Sequence, residues 1–305
     1  KSEHPQLLFL SFSYQSIQDI LGITLPILAL SLSASPFEIG LLATSRGVVY
    51  SVSSFMMGYV SDRIDSKRMM LCTMFVTIVM TLLFYAARNP LELIVLRFFE
   101  GLAMAMFWPT VESLIVKTQK SNISGALRGF NVSWSLGHMI GPLIGGILIT
   151  LFGVRSPFPL VAAIASVNIV LIVKHIPRKR VDRSRARTPI FKVTMPSAKI
   201  VSTAILTGVI LSIFFTFLPA FGTQRGISAF EIGAMLFLFG AIRMLFFHRA
   251  TMIKIGLEPR ALLASAGLFM IYVGERLTVY LGVTLIGAAV SLIYTYTIER
   301  ILAGD

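Results

Sequence analysis

The sequence predicts an all-α integral membrane protein built from two related helical halves, and three observations predict it. Composition is the first: 55% of the 305 residues are hydrophobic and 13% are charged, where a soluble domain carries about 25% charged residues. An internal repeat is the second. Residues 25–40 read LPILALSLSASPFEIG and residues 218–233 read LPAFGTQRGISAFEIG, with Leu, Pro, Ser, Phe, Glu, Ile and Gly recurring in register at an offset of 193 residues. Each copy ends one apolar segment and begins the next, so two homologous membrane halves are expected, with a working site between them. The third is a lopsided distribution of lysine and arginine, which fixes how the chain is threaded.

Apolar runs near the roughly 20 residues a bilayer needs fall at 7–32, 37–61, 69–87, 90–116, 127–152 and 156–174. After a break they resume at 198–223, 229–247, 261–275 and 277–298, the ninth being the shortest in prospect. None shows the ten-residue alternation of a membrane β-barrel. The first run leads straight into the second, so it is not read as a signal peptide. The expected division is a six-helix bundle over 1–174, a basic linker over 175–197 and a second bundle over 198–305.

A cytoplasmic N-terminus puts eighteen lysines and arginines on the cytoplasmic side, nine of them around the linker. Only Arg88, Arg155, Arg225 and Arg276 fall outside. The plasma (inner) membrane is the expected location, and the net charge of +13 then serves topology and contact with anionic lipid rather than nucleic acid. The single cysteine, Cys72, excludes an internal disulfide framework. No phosphate-binding glycine loop, metal-ligand cluster or nucleophile–base set is present, so neither an enzyme nor a cofactor is expected.

Three segments carry more specific meaning. The loop GYVSDRIDSKR, residues 58–68, places Gly58 four residues before Asp62-Arg63, with Lys67 and Arg68 following. Residues 93–109, LIVLRFFEGLAMAMFWP, put Arg97 and Glu100 within pairing distance on one helix. There Arg97, Gly101, Met104, Trp108 and Val111 share a face. Residues 137–146, GHMIGPLIGG, align Gly137, Gly141 and Gly145 as a smooth stripe suited to close helix packing, with Pro142 inside and Gly146 beside it.

These segments resemble the major facilitator superfamily over essentially the whole chain. Asp65 stands where the family's loop usually has a second glycine, and Glu100 where glutamine is more usual. The 137–146 segment is similar to the fifth-helix signature of the superfamily's proton-coupled drug exporters. The resemblance implies two pseudo-symmetric six-helix bundles around a central cavity, working by alternating access as a monomer. It also implies that Asp62 engages a neighbouring helix N-terminus, where the macrodipole favours an anion. Measured by the repeat, the second half holds four of an expected six helices, and the chain is expected to lack the last two.

Charges inside the spans are costly and point to a protected or wet cavity. Asp19 lies in the polar run SYQSIQD of residues 13–19, and Arg46 lies about nine residues into the second span. At 1.5 Å per residue, Arg46 and Arg97 lie roughly 10–14 Å from the outer end, and Asp19 and Glu100 roughly 15–18 Å. These four are expected to form one buried network, with Asp19 or Glu100 binding the coupling proton beside Arg97. Glu112 and His138 are further members, His138 also reading as a hydrogen-bonded structural residue. Tyr14, Gln15, Trp108, Phe217 and Tyr294 are expected to line the solute cavity, and Arg243 to snorkel to the cytoplasmic surface. The function these readings favour is export of a small organic or amphipathic solute in exchange for protons. A proton-coupled importer or facilitator of a metabolite, and a non-transporting, sensor-like membrane protein, stand as alternatives.

Overall fold

A computed structural model of the protein describes residues 4–61, 64–118, 123–177, 198–249 and 256–303. These residues form ten helices: α1 His4–Ser31, α2 Pro36–Ser61, α3 Ser66–Ala86, α4 Pro90–Thr118, α5 Ile123–Phe152, α6 Pro157–His175, α7 Ala198–Gln224, α8 Ala229–Arg249, α9 Leu257–Val273 and α10 Arg276–Ala303. Each expected span coincides with one helix, and the shortest helix is the ninth, with 17 residues. Residues 178–197, most of the basic linker, lie outside the described residues, as do Asp62 and Arg63.

Six helices among the described residues are long and apolar enough to cross a membrane: α3, α5, α6, α7, α8 and α10. The other four depart for physical reasons. Helix α9 is short, while α1, α2 and α4 carry Asp19, Arg46, and Arg97 with Glu100. A helix keeps such residues inside a bilayer by turning them away from lipid. Phe75, Leu82, Val167, Val170 and Val173 of α3 and α6 are exposed, as a lipid-facing surface requires, and Cys72 shares that exposure.

The repeated segment is one turn built twice. Helices α1 and α7 each end on a residue with positive φ, Ser33 at 65° and Gly226 at 73°. The next amide reaches back five residues, Ala34 N–H to Ala29 O and Ile227 N–H to Gly222 O, both at 2.9 Å. This is a Schellman closure. A capping box then opens the following helix. The Ser35 amide donates to Glu38 Oε2 at 2.8 Å while the Glu38 amide donates to Ser35 Oγ at 3.3 Å. Ser228 and Glu231 repeat the exchange at 3.0 and 3.2 Å. The Ser-x-Phe-Glu pattern recurs because each half needs the same sharp turn with its backbone donors satisfied.

Two hydrophobic cores result. One is drawn almost wholly from α1–α6, the other from α7–α10 with Ile23 and Ile27 of α1 and Ile149 of α5. Helix α5 packs most extensively on α1 and on α8, α2 on α4, and α9 on α10. The α5 contacts are backbone to backbone. A side-chain carbon at Gly141 would lie 2.9 Å from both Asp19 Cβ and Ser16 O, and one at Gly146 would strike Ala229 O of α8. The outer arginines act as fasteners. Arg155 donates to Tyr85 O and Ala87 O at the end of α3, and Arg225 to Tyr272 O and Gly274 O at the end of α9.

In the 58–68 loop, Gly58 falls in α2, and Asp65, the departure from the family pattern, caps α3 by accepting from the Lys67 amide at 3.2 Å. Lys67 Nζ donates to Val173 O of α6 at 2.7 Å, and Arg68 is exposed.

Replacing Ser35 or Ser228 by alanine is expected to destabilise the protein by about 1 kcal/mol each, read as a lower thermal midpoint in detergent; unchanged midpoints would refute the cap assignment. Gly141→Ala is expected to cost about 1–3 kcal/mol through overpacking. Gly22→Ala, where nothing lies within 4 Å, serves as the control that loses no stability.

Candidate functional site

A cavity of about 490 Å³ opens between the halves, a volume suited to a small organic molecule. Its polar lining comes from Gln15, Gln18 and Asp19 of α1, Arg46 and Tyr50 of α2, Arg97 of α4, Trp134 and His138 of α5, and Arg243 of α8. Helix α7 adds Leu211, Ser212, Phe215 and Thr216.

Asp19 is the centre of one cluster. Its Oδ2 accepts from Gln15 Nε2 at 2.5 Å and lies 3.0 Å from His138 Nδ1. An ionised carboxylate only accepts, and an imidazole with its proton on Nδ1 would donate to it in this arrangement. The contact exists because Gly137 and Gly141 bring the α5 backbone onto α1 on either side of His138. The imidazole also sits against the second half, 4.8 Å from the Phe215 ring and 6.4 Å from that of Phe239. Beyond Trp134, the Arg243 guanidinium lies 5.2 Å from the indole centre.

A second cluster lies on α2 and α4. Arg97 Nη1 donates to Glu100 Oε2 at 2.6 Å, with side chains 6% and 2% exposed. Arg46 Nη2 lies 3.2 Å from Met104 Sδ. Gly101 allows this approach, since a side-chain carbon there would lie 2.7 Å from Arg46 O. The two guanidiniums repel one another, and Glu100 offsets one of them.

The expected four-charge layer therefore divides in two. Asp19 meets His138 rather than the arginines of α2 and α4, because the glycine stripe draws α1 toward α5. Arg243 does not snorkel: it lines the cavity against Trp134. Of the residues expected in the cavity wall, Gln15 is there. Tyr14 and Trp108 instead close an aromatic cluster with Phe107 and Phe130 in the first core. Trp108 shares the Arg97 face but lies a turn beyond Met104, where that face meets α1. Phe217 is 36% exposed beside Gly40, Tyr294 is 45% exposed on α10, and Glu112 is exposed outside the described lining.

Arg243 and the α7 residues were within reach of the sequence through the repeat. At the offset of 193 residues, Gly208, Leu211, Ser212, Phe215 and Thr216 correspond to Gln15, Gln18, Asp19, Gly22 and Ile23, and Arg243 corresponds to Tyr50. All of these line the cavity.

The family model for the Major Facilitator Superfamily matches residues 7–299. Among curated proteins the chain is similar to multidrug resistance protein MdtG of Erwinia billingiae, 29% identical over 170 residues, which is 55% of this chain and 41% of that protein. The MdtG of Klebsiella pneumoniae is 28% identical over 171 residues, 56% of this chain and 42% of that one. These matches thus span about two-fifths of the relatives' own length. Among solved structures, the nucleoside transporter NupG superposes with a TM-score of 0.77 at 13% identity, covering 99% of this chain and 83% of that one. A bacterial homolog of the human lysosomal transporter Spinster, inward-facing and occupied, gives 0.74 at 13% identity over 96% and 72%. At such identities the likeness is one of fold.

Because Glu100 compensates a buried guanidinium, Glu100→Gln is expected to destabilise the protein by about 3–5 kcal/mol, whereas Glu112→Gln is near neutral. Thermal midpoints in detergent compare the two, and equal losses would contradict the pairing.

Proposed function

The chain belongs to the Major Facilitator Superfamily, and on that premise we propose that it exports a small organic, amphipathic solute in exchange for protons by alternating access. One observation carries the reading: a carboxylate–imidazole pair, Asp19 and His138, stands in the cavity wall at the seam between the halves.

The chemistry of that pair suits a coupling site. Ionised Asp19 accepts from both Gln15 and His138. A proton on the carboxyl turns an acceptor into a donor, so the cluster must rearrange. It also removes a negative charge from a cavity wall that Arg243 of α8 shares. Asp19 meets His138 from α5 and Gln15 from its own helix, and Arg243 from α8 and Phe215 from α7 share its cavity wall. Protonation changes how the two halves attract one another, which is what coupling requires. Glu100 fits this role less well, since its Oε2 is committed to Arg97. Arg97 then serves to neutralise Glu100 rather than to move a proton.

Export is supported by the fifth-helix pattern and by the multidrug resistance names of the relatives. Residues 1–174 and 198–305 are proposed to rock as units joined through 175–197, the bare α5–α8 contact at Gly146 and Gly233 offering a smooth bearing. The basic-residue asymmetry supports a cytoplasmic N-terminus in the inner membrane, and the protein is proposed to act as a monomer.

In everted vesicles, amphipathic compounds that the protein exports should release a proton gradient, read with a pH-sensitive dye. Asp19→Asn is expected to reduce that response to background while gradient-free exchange of the same solute survives. Full gradient dependence in Asp19→Asn would sink the reading.

A further inference from the structure

We infer that the solute carries an acidic group, bound as an oxyanion at Arg46 and Gln18. The inference rests on the transporter reading of the cavity and names the class of solute that the cavity takes.

Charge is the first argument. The lining holds three guanidiniums, Arg46, Arg97 and Arg243, against one carboxylate, Asp19. Glu100 offsets Arg97 from behind the wall, and Arg46 stands in the same lining. Among the described residues no carboxylate lies within ion-pair distance of Arg46, whose Nη2 lies 3.2 Å from the Met104 thioether. A half-buried guanidinium in a protein-lined cavity favours an anionic ligand, because its Coulomb attraction is less screened there than in bulk water. Its planar fork matches a carboxylate or a similar oxyanion.

Hydrogen bonding is the second argument, and it is independent of charge. Gln18 lines the cavity, is 1% exposed, and among the described residues has no partner on either its amide nitrogen or its amide oxygen. A buried amide unsatisfied at both ends costs stability unless a ligand or water completes it. A carboxylate beside Arg46 accepts from the Gln18 nitrogen, and a hydroxyl or amide on the same solute completes its oxygen. The remaining wall, Ile23, Leu211, Phe215 and Leu236, accepts an apolar body. The ligand so described is an amphipathic organic acid.

The test is calorimetric titration of the full protein in detergent with phenylbutyrate, phenylbutanol and phenylbutylamine at about pH 7.5, where acid and amine are both ionised. The three probes share one apolar body and differ in charge. Phenylbutyrate is expected to bind at least about tenfold more tightly than either of the others. Arg46→Gln should erase that advantage and Arg46→Lys should keep part of it. Gln18→Leu should weaken the acid more than the amine, which keeps the test decisive if Arg46→Gln does not fold. Tighter or equal binding of the amine, binding of none of the three, or acid affinity in Arg46→Gln within about twofold of the parent overturns the inference. No gradient is imposed, so this result and the proton-exchange result in vesicles fail separately.

Discussion

The structure depends on one helix that touches two neighbours with bare backbone. On one side of α5, Gly137, Gly141 and Gly145 lie against α1; on the other, Gly146 lies against the first turn of α8. In a bilayer there is no hydrophobic drive between helices, so close van der Waals contact and interhelical hydrogen bonds must hold them together. Small residues permit that contact. The consequence is chemical as well as mechanical: the closeness that joins the halves also sets His138 3.0 Å from Asp19. Seam and charged pair are products of the same stripe.

Around that seam the protein handles charge in two ways. Where a charge has no part in the cavity, it is neutralised nearby, as Glu100 is by Arg97, or tied to backbone, as the outer arginines are to helix ends. Within the lining the treatment is mixed: Arg97 is paired with Glu100, while among the described residues Arg46 has no carboxylate within ion-pair distance and the Gln18 amide has no hydrogen-bond partner. Leaving such groups unpaired in a low-dielectric setting is costly. The two halves divide this work unequally. Helix α1 presents Gln15, Gln18 and Asp19 where α7 presents Gly208, Leu211 and Ser212, so the first half supplies chemistry and the second mostly a wall, with Arg243 the exception.

Much of this was legible in the residues. Hydropathy located ten helices, because a span must be apolar over a fixed length. The repeated segment placed a turn between two helices in each half, because it ends one apolar run and begins the next. The Arg97–Glu100 pair followed from a three-residue spacing on one helix. The fate of Trp108 did not follow. It shares a helical face with Arg97 and Met104, and whether that face meets a void or another helix at its height is no property of α4 alone. The same holds for Tyr14, which lies within the polar run of α1 yet packs into the first core.

The sequence by itself determined the class of protein, the helices, the turn between them and the repeat that relates the halves, since each is a local property of hydrophobicity, capping or spacing. Only the tertiary structure decided that Asp19 answers to His138, 119 residues away, and that Arg243 reaches the cavity from the other half. Those choices belong to the crossing of helices, and the crossing is set by which backbones come close enough to touch.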